Sequence, residues 1–287
     1  MVVHHLNCGN MHPLGALLLT GHGGFLDKAH VVCHCLLVEL PDRLMLVDTG
    51  LGEDDMANPE GRFGSAQAKL LNIENDPTRT AMHQIRAMGY NPEDVRDIVM
   101  THLDFDHSGG LVDFPWATVH VIDIEQDVAT HPKTLSERNR YCAAQFAHGP
   151  KWDPLMVSGR DRWFGFEYIR PFPEIDREVL MVPLFGHSRG HCGVALKQGD
   201  KWLLHAGDAI MSHRELDPVE PDAPLGLRLF EKFVSDNEEA VEANQALLRQ
   251  LVHEHPFDLE VVCTHDPYML DGIPPTAPAA LVGVSLQ

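Results

Sequence analysis

Positive charge is scarce in this chain of 287 residues: 22 Lys and Arg stand against 42 Asp and Glu, for a net charge of −20. That balance excludes nucleic acid as a general partner, because a phosphate backbone is held by a basic footprint. A strongly anionic lipid surface is disfavoured on the same ground. Long apolar runs are missing as well. The best of them, Leu14–Leu19, is too short for a signal core or a membrane span, and no basic segment precedes it. A cytoplasmic protein with no membrane partner is the expectation. The six cysteines, at positions 8, 33, 35, 142, 192 and 263, form no Cys-x-x-Cys pair, a usage that suits reduced thiols better than a disulfide framework. Cys33-His34-Cys35 falls within Val31–Val38, where alternate residues of a strand face opposite ways, so packed thiols are expected there and not a metal clasp. No low-complexity linker divides the chain, so residues 1–287 are expected to form a single domain.

Histidine, by contrast, is plentiful, with 19 copies. The most informative stretch is Thr101-His102-Leu103-Asp104-Phe105-Asp106-His107-Ser108-Gly109-Gly110. Four metal-capable side chains fall within six positions, directly after the apolar run Ile98-Val99-Met100, which reads as a buried strand. Four such polar groups cannot all be paired inside a protein without a strong partner. A metal ion is the partner that suits clustered imidazoles and carboxylates.

Other segments follow the same logic. Val31–Leu40 and Leu44–Val47 read as a hairpin that delivers Asp48, and Val179–Leu184 as a strand that delivers His187. Gly193–Lys197 and Lys201–Leu204 pair around Gln198-Gly199-Asp200 and deliver Asp208; Leu259–Cys263 delivers His265. Thr118–Ile122 is a further strand. Helices are expected near Ala66–Leu71, over Thr80–Met88, over Ser136–Phe146, and from a Ser235-x-x-Glu238 capping box to His253. Residues 1–30 read as loops around a short strand at 14–20. Strands alternating with helices imply a layered α/β domain. Residues 127–177 stand apart, with Arg138, Arg140, Lys151, Arg160, Arg162, Arg170 and Arg177 beside Trp152, Trp163, Phe164, Phe166 and Tyr168. They read either as a cap with affinity for anions or as a packed insertion whose arginines pair with surplus carboxylates.

The main motif resembles the His-x-His-x-Asp-His of the metallo-β-lactamase superfamily, with Asp104 in place of the second His. Leu46-Val47-Asp48-Thr49-Gly50, Gly186-His187-Ser188-Arg189-Gly190-His191, His205-Ala206-Gly207-Asp208-Ala209 and Cys263-Thr264-His265-Asp266 resemble its other motifs in the family's order. The resemblance implies a four-layered αββα sandwich with its site along one edge. It also implies two divalent metal ions, zinc foremost. His102, Asp104 and His187 would hold one ion, Asp106, His107 and His265 the other, and Asp208 would bridge them. Asp48 would orient the site, with His191 in support. A metal-bound hydroxide would attack an ester, lactone or related bond in a small molecule, with Asp106 orienting it and taking its proton.

Asp104 adds a negative charge to the first site, which favours harder ions, so iron and manganese stand beside zinc. A shorter carboxylate could also fall short of the metal, leaving one occupied site or acting through a water. Within the superfamily the pattern is closest to the N-acyl-homoserine-lactonase-like branch, which carries a Tyr three residues after the bridging Asp. That place is Met211 here. A mononuclear iron oxidoreductase of persulfide-dioxygenase type and a phosphodiesterase are the alternatives, and a homo-oligomer is compatible with the sequence. Arg189 is open between meeting an anionic substrate and simple solvation.

Overall fold

The computed structural model describes residues 1–272 apart from 158, 160, 176, 177 and 220; Arg160 and Arg177 of the basic stretch lie outside the described residues. Two sheets form its centre. The first runs in the order β1 (Val2–Met11), β2 (Val31–Glu39), β3 (Leu44–Val47), β4 (Val95–Val99), β5 (Thr118–Ile122), β6 (Lys151–Leu155). Its first three strands are antiparallel and the rest pair in parallel. A two-stranded hairpin, β7 (Arg162–Trp163) and β8 (Phe166–Glu167), leads to the second sheet. There β9 (Val179–Pro183), β10 (Cys192–Gln198), β11 (Lys201–His205) and β12 (Leu259–Val262) lie in the order β12-β11-β10-β9.

Strand alternation makes the layers. In β2, Leu36 and Val38 enter the cluster shared by the two sheets, whereas Cys35 and Leu37 face the opposite way. The outward cluster of the first sheet is covered by Met82 and Ile85 of helix Ala81–Ala87 and by Val128 of helix Asp123–Thr130. In the second sheet Val194, Leu203 and Val262 point inward, and Ala195, Leu204 and Val261 point outward onto Leu248 and Leu251 of helix Glu238–Glu254. Helix, sheet, sheet, helix is the resulting order, the αββα sandwich expected from the motifs.

Four local expectations are corrected. The stretch 14–20 is a helix, Ala16–Thr20, bracketed by Gly15 and Gly21 in left-handed conformations. A short apolar run does not reveal its period, and the two glycines end it after little more than one turn. The loop reading of residues 1–30 missed β1, because its buried His4 and Asn10 interrupt the apolar alternation. Ser235 closes helix Leu225–Val234, and Asn237 opens the next helix by accepting the Ala240 N–H at 3.1 Å, so the capping box proposed at Ser235 does not form. Ser136–Phe146 is also divided, into helices Leu135–Arg140 and Ala143–Phe146 separated by extended Tyr141. The 127–177 stretch supplies β6 as the edge strand of the main sheet.

Beside the metal motif, Asp113 accepts the Glu53 N–H at 3.1 Å. Burial pushes its pKa up to about 7, with Glu53, Asp55 and Asp54 adding to the rise against that hydrogen bond. The unfolded chain releases this proton near pH 4 and the folded chain only near pH 7, so folding loses stability as pH rises across that window. Asp113→Asn keeps an acceptor without the charge. It should stabilise the fold at pH 8, by about 2 kcal/mol, and leave stability unchanged at pH 4. Equal effects at the two pH values in calorimetry would contradict the assignment.

Candidate metal centre

Each site residue follows a strand end, so the sheets aim the side chains. Asp48 follows β3 with a left-handed backbone (φ 55°). Its Oδ1 accepts the Thr101 N–H at 2.8 Å, and its Oδ2 accepts the Thr101 hydroxyl at 2.7 Å and faces His107 Nδ1 at 2.8 Å. The carboxylate thus ties β3 to the loop after β4 and turns the His107 ring so that Nε2 points inward. His265, after β12, is oriented the same way: Nδ1 meets the Val32 carbonyl at 2.9 Å. His191 bridges the Leu184 carbonyl through Nδ1 at 3.0 Å and the Asp208 N–H through Nε2 at 2.9 Å, which uses both ring nitrogens. Burial pushes its pKa well down, so the ring stays neutral. Gly207, before Asp208, has φ 57°, and a Cβ there would come within 2.6 Å of His191 Nε2. Only glycine fits between them.

The structure brings together all seven expected side chains. The ligand atoms of His102, Asp104 and His187 lie within 4.8 Å of one another, as do those of Asp106, His107 and His265, and those of His102, His107 and Asp208. Asp208 lies between the first two groups. Its Oδ2 is 3.6 Å from His187 Nε2 and 3.1 Å from His265 Nε2, and its Oδ1 is 3.4 Å from His107 Nε2. Asp104 Oδ2 lies 3.0 Å from His187 Nε2 and 3.4 Å from His102 Nε2. Burial works against a charged His107, but Asp208 and Asp48 outweigh it and hold its pKa well above the imidazole range. Burial, with His107 adding to it, lowers His102 to about 4 against the pull of Asp104 and Asp208.

The donor set fits a pair of cations. Nε2 of His102, Nε2 of His107 and Oδ1 of Asp208 are buried without a hydrogen-bond partner. Such atoms are costly unless something else satisfies them. Imidazole and carboxylate together suit zinc, iron or manganese. The residues present therefore fit the ions that the motif implies.

Two residues that sequence reasoning did not assign to the site hold it from outside. Glu125 is fully buried. Its Oε1 accepts from Leu103 N–H at 3.1 Å and Tyr141 hydroxyl at 3.2 Å; its Oε2 accepts from Ser188 hydroxyl at 2.7 Å and Gly190 N–H at 2.9 Å. One carboxylate thus ties the loop of His102 to the loop of His187. An acid in the first turn of a helix, here beside Asp123, carries no signal for that role. Arg140 pairs with Asp104, an outcome anticipated only in the general reading that these arginines meet surplus carboxylates. Arg189 ion-pairs with Glu137 at 2.7 Å, an outcome that neither of its expected readings described. His205 uses both ring nitrogens outside the ligand groups, Nε2 at the His34 carbonyl (2.8 Å) and Nδ1 at the Gly207 N–H (3.2 Å), and all six cysteines are free thiols, those at 33 and 35 buried.

Residues 30–249 match the Metallo-beta-lactamase superfamily. A probable metallo-hydrolase of Mycobacterium tuberculosis is 43% identical over 267 residues, covering 92% of this chain and 80% of its own length. The N-acyl homoserine lactonase AttM of Rhizobium radiobacter is 28% identical over 233 residues, or 80% of each chain. An N-acyl homoserine lactone hydrolase, solved with the product N-hexanoyl-L-homoserine at its catalytic metal center, has the same fold. Its TM-score is 0.67 at 19% identity, over 95% of this chain and 96% of that one. Motifs, architecture and relatives agree: the chain is a metallo-hydrolase of the metallo-β-lactamase superfamily.

Proposed function

We propose that the protein is a dinuclear hydrolase that opens an ester or lactone in a small molecule. The observation that carries this reading is the convergence of seven ligand-capable side chains around buried, unpartnered Nε2 and Oδ1 atoms. His102, Asp104 and His187 would hold one divalent ion and Asp106, His107 and His265 the other, with Asp208 shared; zinc is the first candidate, then iron or manganese. When bound, the pair supplies an acidified water and positive charge against the oxygen under attack.

The chain's own residues do the rest. Asp48 fixes the His107 tautomer and ring angle through the 2.8 Å contact at Nδ1. Asp106, its Oδ2 3.5 Å from His265 Nε2 and in the same group of donors as His107, is the carboxylate placed to orient the nucleophile and take the proton it releases. Met211 is buried and brings no hydroxyl to the substrate carbonyl. Activated lactones and aryl esters are therefore favoured over substrates that need that extra donor. The lactonases among the relatives support this substrate class. Among the described residues no helix is long and apolar enough to cross a membrane.

Elemental analysis of the purified chain, followed by a panel of lactones, aryl esters and phosphoesters, tests the reading. Two zinc or mixed ions per chain with turnover of lactones or esters is the expected result. One iron per chain with oxygen uptake on a thiol substrate would replace it by an oxidoreductase, and turnover of phosphoesters alone by a phosphodiesterase.

A further inference from the structure

Asp104 is held from behind. Arg140, the last residue of helix Leu135–Arg140, meets the carboxylate along both edges: Nε donates to Oδ1 at 2.6 Å and Nη2 to Oδ2 at 2.9 Å. This two-pronged geometry belongs to guanidinium and not to an ammonium. Arg140 is itself anchored, with Nη1 donating to the Val234 carbonyl at 2.7 Å and lying 3.8 Å from Asp236. Only 12% of its side-chain surface reaches solvent. Oδ2 of Asp104, meanwhile, faces Nε2 of His187 at 3.0 Å and Nε2 of His102 at 3.4 Å. The carboxylate is gripped on its outer edge and presents one oxygen inward.

We propose that Arg140 is a positioning residue for the first metal subsite, clamping Asp104 so that Oδ2 alone meets the ion and offsetting the charge the carboxylate brings. The inference rests on the reading that His102, Asp104 and His187 hold an ion. An unclamped Asp can turn about its side-chain bonds and offer either oxygen. The fork removes that freedom before an ion arrives. Charge follows the same pairing: a carboxylate with its guanidinium sums to zero, as a neutral imidazole would. Residue 104 therefore works as half of a unit, and the pull toward harder ions that a bare carboxylate exerts is reduced.

Stepwise zinc binding to metal-stripped protein, read by chelator competition, tests the unit. Arg140→Lys keeps the charge and loses the fork. It should weaken the first-subsite ion by about tenfold or more, the range for losing a partner that orients a ligand, with the other ion unaffected. Asp104→His alone leaves a buried guanidinium beside an imidazole and a cation. Adding Arg140→Met to it should recover at least about tenfold in zinc affinity. Arg140→Lys with both zinc affinities as in wild type would overturn the proposal, even if the thermal midpoint of the metal-free protein fell, since the arginine would then be a structural tie. Asp104→His binding zinc equally well with Arg or Met at 140 would overturn it too. A wild-type chain that takes up no zinc, iron or manganese overturns the two-ion reading itself and the clamp with it. The Arg140 variants cannot produce that result.

Discussion

His107→Ala is expected to abolish hydrolysis, by roughly a thousandfold or more, and to lower the bound metal below the wild-type content. His107 has no exposed surface, and its two nitrogens do different work. Nδ1 is fixed by Asp48, and Nε2 is one of the unpartnered atoms at the centre, 3.4 Å from Asp208 Oδ1. Truncation removes a donor from the second metal group and leaves Asp48, itself fully buried, with only the Thr101 N–H and hydroxyl as hydrogen-bond donors. Both losses act on the same place. Turnover and metal content are read on the same preparation; a variant with wild-type rate and full metal content would show that the centre lies elsewhere.

The second large effect is on folding. Glu125→Ala should destabilise the protein by about 3–5 kcal/mol, because four donors in the interior lose their acceptor together. For a chain of this size that corresponds to a fall of roughly 6–10 °C in thermal midpoint. Packing leaves little room for repair, since a Cβ on Gly190 would already fall 2.5 Å from the Glu125 Cβ. Glu125→Gln should lie between, as an amide can still accept from one pair but turns a donor toward the Gly190 N–H. Zinc retention should fall in step, because the carboxylate joins the loops that carry His102 and His187. A loss below about 1 kcal/mol for the Ala variant in thermal or denaturant unfolding would show that those bonds carry little weight.

What the sequence revealed and what it concealed follow from the range of the interactions. The strands before His102, His187, Asp208 and His265 are apolar runs closed by a polar cluster, a local pattern visible without a structure. Strand Val2–Met11 is not of that kind. His4 sits inside it at 2.7 Å from Glu39, so a polar residue occupies a core position by virtue of a partner 35 residues away. The pairing of Asp104 with Arg140 spans 36 residues and two further helices. From the motif alone, Asp104→His reads as a harmless return to the family pattern with zinc preferred; beside Arg140 it strands a cation. Glu125 is hidden for a like reason, since its four partners come from three separate segments. Position within the motif was legible. The scaffolding behind it was not.

The helix-capped sheet that carries His102 and His107 and the one that carries His187, Asp208 and His265 meet at the metal centre, with Asp208 in reach of imidazoles from each side. An ion lodged there would act as a rivet through two plates. Its departure would loosen the seam at this rim before it disturbed either plate.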